Sequence, residues 1–307
     1  MSKKNKILIT GSSGMVGTNV AKVMSQTNEY EVCLSNSKNM NLLNASLTEK
    51  CITDFAPDFV IHCAGVVGGI QMNIDAQYKS LSENSQMYIN LINALDKQKK
   101  FVRLVNLGSS CIYPKDLDKE YVNDDLMAGK LEPTNEGYAL AKLIGIKLLE
   151  HYKGSNFIGK SIIPCNLFGE HDKFDLEKSH LIPAIIMKVD RSKKTGDPIV
   201  IWGDGTARRE FSFVMNLAFF LKNYLQNFDD FPDNVNFGEE HDYSINDYYD
   251  MVCEIIGCQK NYMFDKEKPI GMKRKKVDIS FQKDIGWKNP FTVSDGIKKT
   301  YEFYKNL

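Results

Sequence analysis

The sequence predicts an α/β fold, a doubly wound parallel sheet with a smaller, interleaved C-terminal α/β lobe. Three observations predict it. The apolar residues 6–10 run straight into Gly11-Ser-Ser-Gly14-Met-Val-Gly17, and a helical pattern follows to about Met24. Short apolar runs at 31–34, 59–64 and 103–107 then alternate with helical patterns at 46–55 and 84–95. A late apolar run at 235–238 follows a helical pattern at 216–228 and returns the chain to the first lobe. Strands separated by helices lie parallel, because a parallel neighbour is reached only through a crossover.

The first strand is continuously apolar, as a strand covered on both faces must be. In the loop after it, Gly11 permits a tight turn, Gly14 lets the backbone approach a pyrophosphate, and Gly17 lets helix pack on strand. The helix then turns its N-terminal N–H groups toward the phosphates. Between strand and helix this glycine spacing is a dinucleotide fingerprint of the Rossmann type; elsewhere it is only a turn. The second strand ends in Ser35-Asn36-Ser37-Lys38. No carboxylate stands there to oppose a 2′-phosphate and Lys38 can pair with one, so the cofactor expected is NADP(H). The third strand ends in Ala64-Gly65-Val-Val-Gly-Gly-Ile70, glycines at the carboxyl edge of the sheet where cofactor and substrate meet. His62, inside that apolar run, reads as a satisfied core histidine. The fourth strand ends in Gly108-Ser109-Ser110-Cys111-Ile-Tyr-Pro114, whose hydroxyls suit a developing oxyanion.

The segment Glu132-Pro-Thr-Asn-Glu-Gly-Tyr-Ala-Leu-Ala-Lys142 opens a helix expected over 138–149. Tyr138 and Lys142 stand four apart, on one helix face, with Cβ atoms about 5–6 Å from each other. A free phenol, with a pKa of about 10, is a poor acid at neutral pH. The neighbouring ammonium stabilises phenolate and is expected to pull Tyr138 down toward the working range. Alone the pair is a weak signal, since a packed tyrosine beside a solvated lysine has the same spacing. With the glycine fingerprint and the serine loop before it, the chain is identified as a member of the extended short-chain dehydrogenase/reductases.

Composition narrows the function. Lys plus Arg and Asp plus Glu balance at 39 each, which argues against nucleic acid or a membrane surface as partner. The 7 cysteines are scattered without metal-ligand spacing, so reduced thiols in a cytoplasmic protein and no metal are expected. No apolar run approaches a membrane span, and the apolar stretch before Gly11 is too short for a signal-peptide core.

Further segments sharpen the resemblance. Val67-Gly-Gly-Ile70, the Ser-Ser-Cys-Ile-Tyr-Pro loop, Asn166-Leu-Phe-Gly169, His171-Asp-Lys-Phe174, Ser179-His-Leu-Ile-Pro183, Trp202-Gly-Asp-Gly-Thr206 and Arg209-Glu-Phe211 resemble the GDP-L-fucose synthase family. That family epimerises GDP-4-keto-6-deoxymannose at C3 and C5 and then reduces C4. The resemblance implies Ser109, Tyr138 and Lys142 as the reduction triad, and Cys111 with His180 as the acid–base pair for epimerisation. Ser110, Asn166, Lys188 (where an arginine is usual), Trp202, Arg209 and Lys275 would contact the substrate, a GDP-linked 4-keto-6-deoxy sugar. Cofactor contacts would come from Gly11, Ser13, Gly14, Met15, Val16 and Gly17, from Asn36, Lys38, Ala64 and Gly65, and from Pro164, Asn166, Leu167 and His180 beside Tyr138 and Lys142. A homodimer through the helices at 84–95 and 138–149 is implied by the same analogy.

Each assignment has a plainer counterpart. Cys111 can be a small core residue, His180 a helix cap, Trp202 a packed indole, and residues 273–276 a solvated basic face. The chain also departs from the family: Val66 replaces a lysine, Gly137 a proline, Ser12-Ser13 a His-Arg pair, and Phe213-Val-Met-Asn216 lacks an acidic pair. Two rival readings stay open, a plain 4-reductase of a GDP-4-keto-6-deoxy-hexose or -heptose without epimerase activity, and a non-catalytic NADP-binding sensor. The cofactor domain is expected at 1–166 plus about 212–240, and the nucleotide-sugar lobe at about 167–211 plus 241–307.

Overall fold

The computed structural model describes residues 4–175, 179–268 and 272–307. The first part of the chain forms β1 (Asn5–Thr10), α1 (Met15–Ser25), β2 (Tyr30–Leu34), α2 (Ala45–Phe55), β3 (Phe59–His62), α3 (Ile70–Asp75), α4 (Gln77–Asp96), β4 (Val102–Leu107), α5 (Glu136–His151) and β5 (Phe157–Pro164). The middle forms β6 (Asn166–Phe168), α6 (Leu181–Thr195), β7 (Ile199–Trp202), β8 (Arg208–Arg209), β9 (Phe211–Phe213), α7 (Val214–Gln226) and β10 (Asn234–Phe237). The last part forms β11 (Tyr243–Ser244), α8 (Ile245–Ile256), β12 (Tyr262–Asp265), β13 (Arg274–Lys275), α9 (Ser280–Asp284) and α10 (Val293–Tyr304).

Six strands make one sheet in the order β10-β5-β4-β3-β1-β2, and every neighbouring pair is parallel. The expected doubly wound parallel sheet is therefore present. Winding reverses between β1 and β3, which opens a crevice at the carboxyl ends of those strands. The glycine loop fits there closely. Gly11 has φ +66°, and a Cβ on it would lie 2.6 Å from the Ala64 backbone; one on Gly17 would lie 2.2 Å from the Gly11 carbonyl. Turn and helix thus meet at backbone distance.

Three short sheets complete the architecture: β11-β8-β13, β12-β7 and β6-β9. One core runs from Ile7, Ile9 and Val20 on the large sheet through Phe213 and Leu217 to Ile185, Val252 and Ile297 in the later helices. The opposite face of the sheet buries Leu8, Val60, Leu91 and Leu104 with Ile52.

β5 had no counterpart among the expected strands. Gly159 and Lys160 interrupt its apolar pattern, and both have local reasons. A Cβ at Gly159 would strike Leu149, and Lys160 passes its ammonium beside the Phe228 ring to the Phe231 carbonyl. Tyr243 and Ser244 first pair with β8, after which Ser244 and Asp247 form a capping box.

Candidate active site

The cofactor side of the crevice is built from backbone. The Ser12 N–H donates to the Ser35 carbonyl at 2.9 Å, and the Ser35 N–H to the Ile9 carbonyl at 2.9 Å, so glycine loop and β2 end are tied. The turn beyond is set by asparagines: Asn39 Oδ1 accepts from Asn36 N and Asn36 Oδ1 accepts from Lys38 N. Lys38 is exposed at its tip, and the Ser35 hydroxyl is buried without a hydrogen-bond partner. An orphaned hydroxyl beside a turn free of carboxylates fits the ribose phosphate end of NADP(H). Ala64 N donates to Thr10 Oγ1 at 3.3 Å, and Val66 is held by Asn84, which accepts from its N–H and donates to its carbonyl. On the far wall, Pro164 ends β5 and Leu167 pairs with Ser212, while Asn166 Nδ2 donates to the Glu210 carbonyl at 2.8 Å. Ser13, Gly14, Met15 and Val16 carry the chain from the turn into α1.

The reaction side starts at β4. Ser109 caps the short turn Ser110–Ile112, its hydroxyl oxygen accepting from Cys111 N at 3.4 Å. Ser110 and Cys111 are buried. α5 brings Tyr138 and Lys142 to the same place, with the Lys142 ammonium 5.7 Å from the Tyr138 ring centre. That ammonium donates to the Leu107 carbonyl at 2.7 Å and to the Tyr88 hydroxyl at 3.1 Å. α5 itself is clamped at its start: Gly137 N donates to Gln77 Oε1 at 2.8 Å, a bond that the family's proline could not make.

Electrostatics here corrects the expected lowering of the Tyr138 pKa. Burial pushes the phenol up to about 12, and the Lys142 ammonium only partly offsets it. Burial likewise raises the Cys111 thiol, against the pull of Lys275, Ser109 and Lys142. Burial opposes the Lys142 charge, but the oxygens of Tyr138 and Tyr88 prevail and the ammonium is kept. The pocket thus holds a neutral phenol, a neutral thiol and one fixed cation.

Two further cations lie nearby, with Lys275 beside Cys111. β13 runs parallel to β8 with Lys275 in register with Arg209, and burial lowers the pKa of both. Glu210 secures that strand pair, accepting from Val277 N at 2.9 Å and Glu239 N at 2.7 Å. Burial pushes its carboxyl up to about 8 despite those N–H groups. Tyr88 was marked by no motif, and Glu210 stood inside the Arg209-Glu-Phe211 segment without a role of its own.

The remaining residues stand in two places around α6. His180 precedes the helix, yet its ring makes no capping bond; Nδ1 faces Asp172 Oδ1 at 3.3 Å. Lys188 donates to the Val200 carbonyl at 2.9 Å and the Tyr249 hydroxyl at 3.4 Å. Its ammonium lies 5.3 Å from the Trp202 ring centre, and that of Lys268 5.5 Å. Trp202 keeps 49% of its surface exposed, so it is not a core indole. Among the described residues no group of side chains could hold a metal ion, and no helix is long and apolar enough to cross a membrane.

Residues 7–238 match the model of the NAD dependent epimerase/dehydratase family. The chain is 43% identical over 304 residues to GDP-L-colitose synthase of Yersinia pseudotuberculosis, covering 98% of each chain. The chain belongs to the GDP-L-fucose synthase branch of that family. It is also 39% identical to GDP-L-fucose synthase of Azorhizobium caulinodans, over 99% of this chain and 97% of that one. Among solved structures, a GDP-6-OMe-4-keto-L-xylo-heptose reductase from C. jejuni superposes with a TM-score of 0.91 at 25% identity, covering 100% of this chain and 99% of that one. A GDP-mannoheptose C4 reductase from Campylobacter jejuni with NADP bound follows at 0.87 and 26%, covering 99% of each. Tyr138 and Lys142 lie together on α5, and Cys111 of the turn that Ser109 caps lies beside both.

Proposed function

We propose that the protein reduces the C4 keto group of a GDP-4-keto-6-deoxy sugar with NADPH, and epimerises C3 and C5 in the same pocket. The observation that carries this reading is the Tyr138 and Lys142 pair on α5, the ammonium 5.7 Å from the phenol ring centre, with burial keeping the phenol protonated and Cys111 of the turn that Ser109 caps beside it. A phenol kept protonated suits a general acid.

NADPH supplies the hydride that reaches C4. Tyr138 gives its proton to the C4 oxygen while the Ser109 hydroxyl donates to the same oxygen. Lys142 stabilises the phenolate left behind until the phenol is reprotonated. Arg209 and Lys275, half-buried cations in register on neighbouring strands, suit the diphosphate. Trp202 offers an exposed indole face to guanine or sugar. For epimerisation, the C4 carbonyl acidifies its neighbours, Cys111 removes a proton and His180 returns one on the other face.

The lobes at 1–166 plus about 212–240, and about 167–211 plus 241–307, are read as cofactor and sugar halves. Exposed Tyr78, Ile89 and Leu140 on α4 and α5 support a homodimer through those helices. Seven free cysteines support a reducing, cytoplasmic setting. Mixing the protein with NADPH and GDP-4-keto-6-deoxymannose tests the reductase reading. Stoichiometric loss of NADPH absorbance is expected, and no loss with any GDP-4-keto-6-deoxy sugar would overturn it.

A further inference from the structure

Tyr88 contacts the Lys142 ammonium, and neither the glycine fingerprint nor the serine loop nor the Tyr-x-x-x-Lys pattern foretells it. It lies on α4, is 3% exposed, and its hydroxyl meets Lys142 Nζ at 3.1 Å. The ammonium sits 5.7 Å from the ring centre of Tyr88 and 5.7 Å from that of Tyr138. An ammonium has three N–H donors. The Leu107 carbonyl takes one at 2.7 Å and Tyr88 takes another, leaving a single donor for Tyr138 and a bound ligand.

The Tyr88 ring is itself fixed from two sides. Position 145 on α5 is glycine, and a Cβ there would come within 2.7 Å of Tyr88 Cζ. The His62 ring packs edge-on at 4.9 Å, and His62 Nδ1 is bonded to Thr10 Oγ1 at 2.8 Å. Thr10 Oγ1 already accepts from Ala64 N, so its hydrogen is available to His62 Nδ1. Burial holds the His62 pKa down to about 3 and pushes the Cys63 thiol up to about 12. The groups facing Lys142 from β3, α4, α5 and the loop after β4 are therefore His62, Cys63, Tyr88, Tyr138 and Cys111, and Lys142 is the cation among them.

We propose that Tyr88 is a positioning residue for the reduction: its hydroxyl, seated by Gly145 and His62, fixes the Lys142 ammonium so that the remaining donor serves Tyr138 and the bound substrates. Removing the hydroxyl leaves the buried ammonium one acceptor short, and a donor without a partner must move to find one. A displacement of about 1 Å at a catalytic group costs roughly 10²-fold in rate. The role rests on the reductase reading of Tyr138 and Lys142.

The test is Tyr88→Phe, which keeps the ring and removes only the oxygen. Two readouts are taken. The first is the proton–nitrogen correlation of the Lys142 ammonium in isotope-labelled protein at mildly acidic pH, assigned with Lys142→Arg. Wild type should show a slowly exchanging ammonium, and Tyr88→Phe should lose that protection. The second is kinetics: kcat for sugar reduction should fall roughly ten- to hundredfold, with sugar KM and melting temperature nearly unchanged. A merely structural tyrosine would lower the melting temperature and leave the ammonium signal in place. An unchanged ammonium signal, or an unchanged kcat in an active wild type, overturns the proposal. If wild type reduces no GDP-4-keto sugar, the reductase reading falls, and the ammonium signal alone decides whether Tyr88 fixes Lys142.

Discussion

His180 Nδ1 and Asp172 Oδ1 lie 3.3 Å apart, and Asp172 is buried with its other carboxylate oxygen unpartnered. Oδ1 also accepts from Lys173 N at 2.8 Å, so the carboxylate is fixed before it meets the imidazole. A carboxylate on Nδ1 selects the tautomer with a proton there and leaves Nε2 to exchange protons with a substrate. Asp172→Ala should therefore slow deuterium exchange at C3 and C5 by roughly 10²-fold or more, while reduction of a pre-epimerised 4-keto sugar continues. Equal losses in both reactions would mean that Asp172 only holds the loop together.

Tyr138→Phe should abolish reduction and leave NADPH affinity nearly intact, since the phenol gives a proton and the ring stays in place. Loss of a general acid costs roughly 10²–10⁴ in rate. Single-turnover oxidation of NADPH measures it. A variant that keeps more than about a tenth of the wild-type kcat would require another proton donor.

NADPH should be preferred over NADH by kcat/KM, because the turn Ser35–Lys38 offers asparagine and lysine and no carboxylate. Lys38→Glu should cut that preference about tenfold, the effect of exchanging an attraction for a repulsion at the 2′-phosphate. An unchanged ratio would place the phosphate elsewhere.

Glu210 makes stability depend on pH in a direction opposite to an ordinary surface carboxylate. Its carboxyl is pushed up to about 8 by burial, well above an unfolded glutamate at about 4.3. A raised folded pKa gives stability that is complete below the unfolded value and is lost as pH rises through the folded one. Melting temperature should therefore decline as pH rises from about 4.3 toward 8 and level off above it, and Glu210→Gln should flatten that decline although it weakens the bonds to Val277 and Glu239. The same slope in wild type and variant would remove Glu210 as its source.

The sheet and the glycine crevice were legible because they are written locally. Continuous apolar strands, glycines at fixed steps and a serine loop each need only a few neighbouring residues. Tyr138 and Lys142 were legible as a pair for the same reason. The sign of the Tyr138 shift was not, because burial is a property of the assembled core and outweighs the one charge visible along the helix. Tyr88 reaches Lys142 across 54 positions, and Lys275 meets Arg209 only once β13 lies beside β8. β5 was hidden by Lys160, a charge that a strand tolerates only when its tip escapes to a carbonyl on another segment.

The most direct measurement of the proposed double chemistry is NMR of the product formed from GDP-4-keto-6-deoxymannose and NADPH in D₂O. Burial raises the Cys111 thiol, so labelling should quicken as pH rises from neutral, the thiolate being the base. Predicted is a sugar reduced at C4, inverted and deuterated at C3 and C5, with the label lost in Cys111→Ser. A product reduced at C4 but carrying no deuterium and the original C3 and C5 configuration would contradict it.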